Sequence, residues 1–432
     1  MFTTLKNAWK IEELKKKMLF TIFIILLYRI GTAIPVPYIN TDLLEQYFQS
    51  ASNTLLGLYN VMSGSAFSQA TIFALGVQPY INASIIIQLL GIAIPSLEEL
   101  SHQGEEGKKK LNRITRYSTI AIALLQGLAF FLLMKNNGML LIEGSTIWAG
   151  LVIVATFTAG SSLVMWLAEQ ITAFGISNGI SIILFVGIVS RIPTAIYTSI
   201  VSIIAAPSTF WIYLLMLIGA LAMIVLIVFI TNAERRIPIM YSKRVVGRKV
   251  YGGSSTHLPL KVNMSGVLPI IFAQTIASIP ATIGTFLGKT AESGGFWGGL
   301  LSVFDTGKIF YAIIYFLLII FFSYFYSTIQ FNPIEVSNNL RKNGGYIPGF
   351  RPGKPTSDFI LRVLKKITMF GALYLSIVAI TPLIVGMVSE TAASANIAIG
   401  GTSLIIVIGV ALDTVRGLEA QMLMRNYKGF LE

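Results

Sequence analysis

The sequence predicts an all-α polytopic membrane protein with ten transmembrane helices, and three observations carry that expectation. Hydrophobic residues make up 54% of the 432 and charged residues only 12%, with a mean hydropathy of +0.74, so water is not the main solvent for this chain. Its apolar residues gather into runs of about 18 to 22, the length of a bilayer-crossing helix rather than of the ten-residue alternating strands of an outer-membrane barrel. Its positive charge is concentrated between alternate runs. Helices satisfy their own backbone hydrogen bonds, which lipid cannot do for them.

In chain order the expected spans are Met18 to Val36, Ile72 to Ile94, Tyr117 to Met134, Ile147 to Leu167, Ala173 to Val189, Trp211 to Ile230, Gly266 to Phe286, Ile309 to Tyr326, Ile367 to Val388 and Ile397 to Leu412. The first is too long, and too poor in a small-x-small cleavage site, for a removed signal peptide. The fifth is closed by Arg191 and Pro193, which open a polar joint reaching Ser208.

Lysine and arginine set the orientation. Of the 32, all but Arg29, Lys135, Arg191, Lys289 and Lys308 fall on the side shared by both termini. That side is cytoplasmic by the positive-inside rule.

The stretch from Asn53 to Ile94 is too long for one span and is interrupted by Ser63, Gly64 and Ser65. Two full spans here would put Lys108 to Arg116 outside. The reading consistent with the charges is a short half-inserted helix, Leu55 to Met62, entering from outside before the second span; such a segment survives only where protein or an aqueous cavity surrounds it. A helix lying on the outer surface is the alternative. Five spans on either side of the joint also permit a second half inserted upside down relative to the first.

Chemistry-bearing residues are scarce inside the spans. There is no cysteine, His102 and His257 fall in cytoplasmic loops, and no carboxylate sits at a span centre. A thiol nucleophile, a thiolate metal site, an intramembrane protease dyad and a proton relay are therefore not expected, and neither is a cofactor or catalytic residue. Arg29 in the first span would cost about 3 kcal/mol at a helix core unless it snorkels outward past Gly31, Pro35 and Pro37. Asn82, Gln88, Gln126, Gln274 and Thr275 offer hydrogen bonds between helices worth under about 2 kcal/mol each, weak enough to part. Two long basic, glycine-rich loops, 231–262 and 330–366, interrupt the second half and suggest a docking surface for something large.

Seven stretches resemble the SecY family, the channel-forming subunits of the bacterial protein translocase. They are YRIGTAIPVPYI (Tyr28 to Ile39), IFALGVQPYINASIIIQLL (Ile72 to Leu90), EGKKKLNRITRY (Glu106 to Tyr117), FGISNGISIILFVGIV (Phe174 to Val189), STHLPLKVNMSGVLPIIFA (Ser255 to Ala273), GYIPGFRPGKPT (Gly345 to Thr356) and GGTSLIIVIGV (Gly400 to Val410). The resemblance covers essentially the whole chain. It implies two inverted five-helix halves around a central pore in the bacterial plasma membrane, with SecE and SecG as partner subunits.

The resemblance also divides the chain: a cytoplasmic segment at 1–17, an N-terminal half at 18–190, an external joint at 191–210, a C-terminal half at 211–412 and a cytoplasmic tail at 413–432. It implies a pore ring of Ile81, Ile85, Ile180, Leu184, Ile271 and Ile406. The pairs 81/85 and 180/184 each stack on one helical face, and aliphatic side chains can dewet a constriction yet yield to a passing peptide. Leu184 stands where isoleucine is commoner. A plug helix at 55–67 is implied, comprising Leu55, Leu56, Leu58, Tyr59, Val61, Met62, Ser63, Gly64, Ser65, Ala66 and Phe67.

The five polar residues named above fall at the family's lateral gate, through which hydrophobic signal sequences pass into membrane lipid at about 25 cal/mol per Å² of apolar surface transferred. The basic loops, with Arg351 at the tip of the second and Arg235, Arg236, Lys243, Arg244, Arg248 and Lys249 in the first, match the docking site of the SecA motor or of ribosomal RNA, whose phosphates arginine engages well. The expected function is a gated channel for unfolded preproteins. An inverted-repeat secondary transporter is the alternative, though it calls for midplane ionisable groups.

Overall fold

The computed structural model describes residues 2–50, 60, 63–141, 146–241, 244–246, 249–251, 255–264, 266–286, 295–304, 308–388 and 401–428. The helices are α1 (Phe2–Lys10), α2 (Glu12–Gly31), α3 (Thr41–Ser50), α4 (Gln78–Ala93), α5 (Pro95–His102), α6 (Gly104–Asn136), α7 (Thr146–Phe174), α8 (Gly179–Val189), α9 (Ile192–Ala205) and α10 (Phe210–Asn232), then α11 (Leu268–Phe286), α12 (Phe296–Val303), α13 (Ile309–Gln330), α14 (Pro333–Lys342), α15 (Lys354–Val388) and α16 (Gly401–Lys428). Five short strands, β1 (Glu234–Tyr241), β2 (Arg244–Val246), β3 (Lys249–Tyr251), β4 (Ser255–Lys261) and β5 (Gly345–Tyr346), occupy the two basic loops.

Among the described residues, six helical stretches are long and apolar enough to cross a membrane: Gly104–Asn136, Thr146–Phe174, Gly179–Ala205, Pro207–Asn232, Ile309–Lys342 and Lys354–Val385. The four remaining expected spans fall on α2, α4, α11 and α16. The first two begin or end inside their expected bounds for local reasons, and 397–400 of the tenth lie outside the described residues. The first helix ends at Gly31 rather than Val36, because Pro35 and Pro37 lack amide protons and Pro35 instead pairs with Thr71. The second begins at Gln78 rather than Ile72, since Gly76 adopts φ 54° and Pro79 starts the helix.

Two further stretches carry helix. The joint at 191–210 is mostly helical, as Pro193 and Pro207 each sit in the first turn of a helix, where a missing amide proton costs nothing. Within 413–432, α16 runs unbroken through Lys428.

The chain forms two compact units, 1–216 with 277–311 and 385–432, and 217–276 with 312–384. In the first, α7 packs against α2, α6 and α8, and α16 lies along both α8 and α1. Close approach is built from glycine: a Cβ on Gly179 would collide with the Ala168 carbonyl oxygen, and one on Gly160 with that of Ile72. An outer core gathers Phe48, Phe67, Phe130 and Phe157 with Leu44, Met134 and Ile153. A smaller cluster of Ala8, Leu14 and Leu418 fastens the N-terminal helices to α16, beside a Thr4 to Glu419 hydrogen bond of 3.0 Å.

In the second unit β4, β1 and β5 form one antiparallel sheet, with Glu234 opposite Lys261 and Met240 opposite both Ser255 and Tyr346. The two basic loops, a hundred residues apart in sequence by about the Met240 to Tyr346 separation, are therefore one module. Ile237, Ile239, Leu260, Leu340, Ile347 and Ile360 form its buried core.

Candidate pore and docking surface

Along α4, Ile81 and Ile85 are buried one turn apart. On α8, Leu184 is buried and Ile180 half-buried, and Ile406 is buried on α16, which packs along α8. These five expected ring residues belong to the first unit. Ile271, buried on α11, belongs to the second.

Of the expected plug, Leu55, Leu56, Leu58, Tyr59, Val61 and Met62 lie outside the described residues. The rest, 63–67, is not helix but a series of turns: Ser65 N donates to Asn60 O at 2.9 Å and Thr71 N to Ala66 O at 3.0 Å. The reason is local. Gly64 and Ser65 both take left-handed φ values, 69° and 72°, which a helix cannot accommodate.

Gly64 is pressed against the C-terminal end of α8. A Cβ there would stand 2.8 Å from Ser190 Oγ, 2.9 Å from Gly187 O and 3.3 Å from Arg29 Nη1. Gly187 lies on the helical face of Ile180 and Leu184, one turn further out. The turn thus covers the C-terminal end of the helical face that carries Ile180 and Leu184, and Arg29 reaches to it.

The polar residues separate into two groups. Asn82 on α4 and Gln126 on α6, helices that pack together, each bury a side-chain oxygen with no hydrogen-bond partner among the described residues. Gln88 is exposed, its amide 3.3 Å from Ser84 Oγ. In the second unit Gln274 is buried, Thr275 is half-buried and both have partners.

Arg351 is an exposed cation on a pinned backbone. Its carbonyl accepts a 2.8 Å hydrogen bond from Thr356 Oγ1, and the Gly353 carbonyl accepts one of 2.8 Å from Ser337 Oγ. Phe350 stacks on Phe359 at 4.2 Å. Gly349 and Gly353, at φ 86° and 101°, make the turns on either side. The first loop is less uniform. Strand alternation sends Arg235 and Arg236 to opposite faces of the sheet, so they cannot serve one flat partner together, and Glu234 already holds Arg236 at 2.7 Å. Arg244 and Lys249 lie on the β2–β3 hairpin, while Lys243 and Arg248 fall outside the described residues.

One feature escaped sequence reasoning. Arg116, assigned there to a cytoplasmic loop, sits well inside α6 and donates from Nε to Glu169 Oε1 on α7 at 2.8 Å. The signal was available as an arginine and a glutamate at the ends of neighbouring apolar runs, but the pairing was not.

The SecY family profile matches residues 71–415. The protein translocase subunit SecY of Streptomyces scabiei is 42% identical over 443 residues, covering 100% of both chains. This chain belongs to the SecY family. Solved structures agree in fold: a protein-conducting channel superposes with a TM-score of 0.67 at 18% identity, and a SecY channel whose plug domain stabilises the closed state does so at 0.65 and 18%, each over 94% of this chain and 92% of the other. Sec61 from the canine ribosome-channel complex gives 0.63 at 17%, with the same coverage. As a SecY family member the chain is a membrane-embedded subunit of a protein-conducting channel and not an enzyme, which sets the secondary-transporter alternative aside.

Proposed function

We propose that this chain forms the pore of a bacterial plasma-membrane translocase with both termini cytoplasmic, passing unfolded preproteins outward and hydrophobic segments sideways into lipid. The observation that carries the reading is the Gly64 turn, seated over the α8 face of Ile180 and Leu184. A turn of small residues in that place closes a path without binding what passes through it. Ile81, Ile85, Ile180, Leu184, Ile271 and Ile406 supply the aliphatic ring, which resists ions by dewetting. Asn82 and Gln126, with buried oxygens lacking partners, favour contacts that form and break as a lateral exit works.

SecE and SecG complete the complex in this reading, and the exposed apolar faces of α9 and α10 leave surface for lipid or partner helices. SecA or a ribosome docks on the β1–β4–β5 module, with Arg351 as its fixed cationic point. The test is reconstitution. The purified chain with its co-purifying small subunits is placed in proteoliposomes with SecA, ATP and a preprotein. Accumulation of protease-protected preprotein is expected; a folded complex that protects none, with either SecA or ribosomes as the partner, overturns the proposal.

A further inference from the structure

The Arg116–Glu169 pair stands apart from the other ion pairs. Lys16–Glu12, Lys108–Glu105, Arg416–Asp413 and Arg236–Glu234 each tie residues within a single helix or strand. Arg116 and Glu169, 53 positions apart, join α6 to α7 through a directed 2.8 Å bond, with the carboxylate side only 27% exposed. Tyr80, in the first turn of α4, lies in the electrostatic field of both.

The surrounding contacts give the pair leverage over α4. The helix packs on α6. The segment leading into it is gripped by α7, through Gly160 beneath the Ile72 carbonyl and a 3.3 Å hydrogen bond from Ser161 Oγ to Gly76 O. The first turn of α4 is thus framed by the two helices that the ion pair ties together, and the residue after Tyr80 is Ile81. We infer that Arg116 and Glu169 are positioning residues that hold the ring-bearing turn of α4 in its closed placement. Neither touches the passing chain in this role, and the inference rests on the ring reading for Ile81 and Ile85.

A pair of this exposure shifts an equilibrium by up to about fivefold. The test measures resting ion conductance in planar bilayers and export of a substrate with a weakened signal sequence, with the amount of inserted complex as the control. Arg116→Gln and Glu169→Gln should each raise both readouts about three- to fivefold. The swapped double variant, Arg116→Glu with Glu169→Arg, should return both close to the parent. Arg116→Lys, which keeps the charge but loses the rigid fork, should fall between.

Ile85→Asn serves as the reference. If it leaks while the pair variants are silent, the positioning role is overturned and the ring stands; if it too is silent, the ring reading fails and takes the inference with it. Singles and swap leaking equally would also overturn it, since each charge would then act alone.

Discussion

Phe67 stacks on Phe130 with ring centroids 4.2 Å apart and planes 19° apart. Phe48 meets Phe67 edge-on at 5.2 Å, and Phe157 continues the row from Phe130 at 5.4 Å. An element that leaves a pore cannot carry its last residue in a cluster of this kind. The removable part of the proposed plug therefore ends before Ala66, itself buried, and Phe67 is its anchor.

Deletion of 55–65 should accordingly leave an inserted, partner-binding protein that conducts ions at rest. Phe67→Ala should do the opposite, lowering the amount of folded protein, because truncating a buried phenylalanine typically costs about 3 to 5 kcal/mol. Conductance and abundance, measured together on both variants, check the division. A silent deletion channel would remove the plug assignment.

Gly64→Ala probes the seat of the plug directly. The new methyl meets the Gly187 carbonyl, which as helix backbone cannot swing aside, at 2.9 Å. The left-handed φ adds about 1 to 2 kcal/mol of strain for a residue other than glycine. The expected result is partial displacement of the turn, with raised resting conductance and unchanged membrane insertion. Ser190→Ala, which removes the other close contact without adding bulk, should remain tight.

Most of the spans were legible because lipid allows few solutions: Ile147 to Leu167 can be little else but helix, and the structure has α7 there. The β-sheet was not legible. In ERRIPIMY two arginines and Pro238 blur the alternation, β4 follows only after the intervening β2–β3 hairpin, and the other partner, the two-residue β5, is distant in sequence. Helix α9 was hidden because Pro193 signals a break when seen alone and a helix start when its neighbours are known. The ring at Ile81, Ile85, Ile180, Leu184, Ile271 and Ile406 came from resemblance alone. Aliphatic residues in a membrane helix carry no local mark that separates pore from core.

That ambiguity is open to experiment. Ile85 is 2% exposed and Ile406 also 2%, so each is either a pore residue closed on itself or ordinary packing. As pore residues, Ile85→Asn and Ile406→Asn bring hydrogen-bonding groups into a dry constriction and favour wetting. Export of a substrate with a weakened signal sequence should rise. As core residues, the same changes bury an unsatisfied amide, at about 1 to 3 kcal/mol, and only reduce the folded amount. A loss of protein without any gain of export at both positions would sink the ring.

Arg351 offers the cleanest separation of docking from folding. Its side chain is exposed, whereas its backbone is held by Thr356 Oγ1 and by the neighbouring Phe350–Phe359 stack, neither of which involves the guanidinium. Arg351→Glu should therefore leave abundance and subunit association near normal. If a motor or ribosome buries this cation in a charge-assisted contact, reversal costs about 2 to 5 kcal/mol and coupling falls many-fold. ATP-driven translocation should then be lost from an assembled channel. Lys342 and Lys354 are exposed cations of the same module, one at the end of α14 and the other at the start of α15. They lie on helices rather than at the tip of the 349–353 turn, and Lys342→Glu and Lys354→Glu should be mild. General attraction to anionic lipid would make all three reversals alike, and equal, weak effects would leave Arg351 with no docking role.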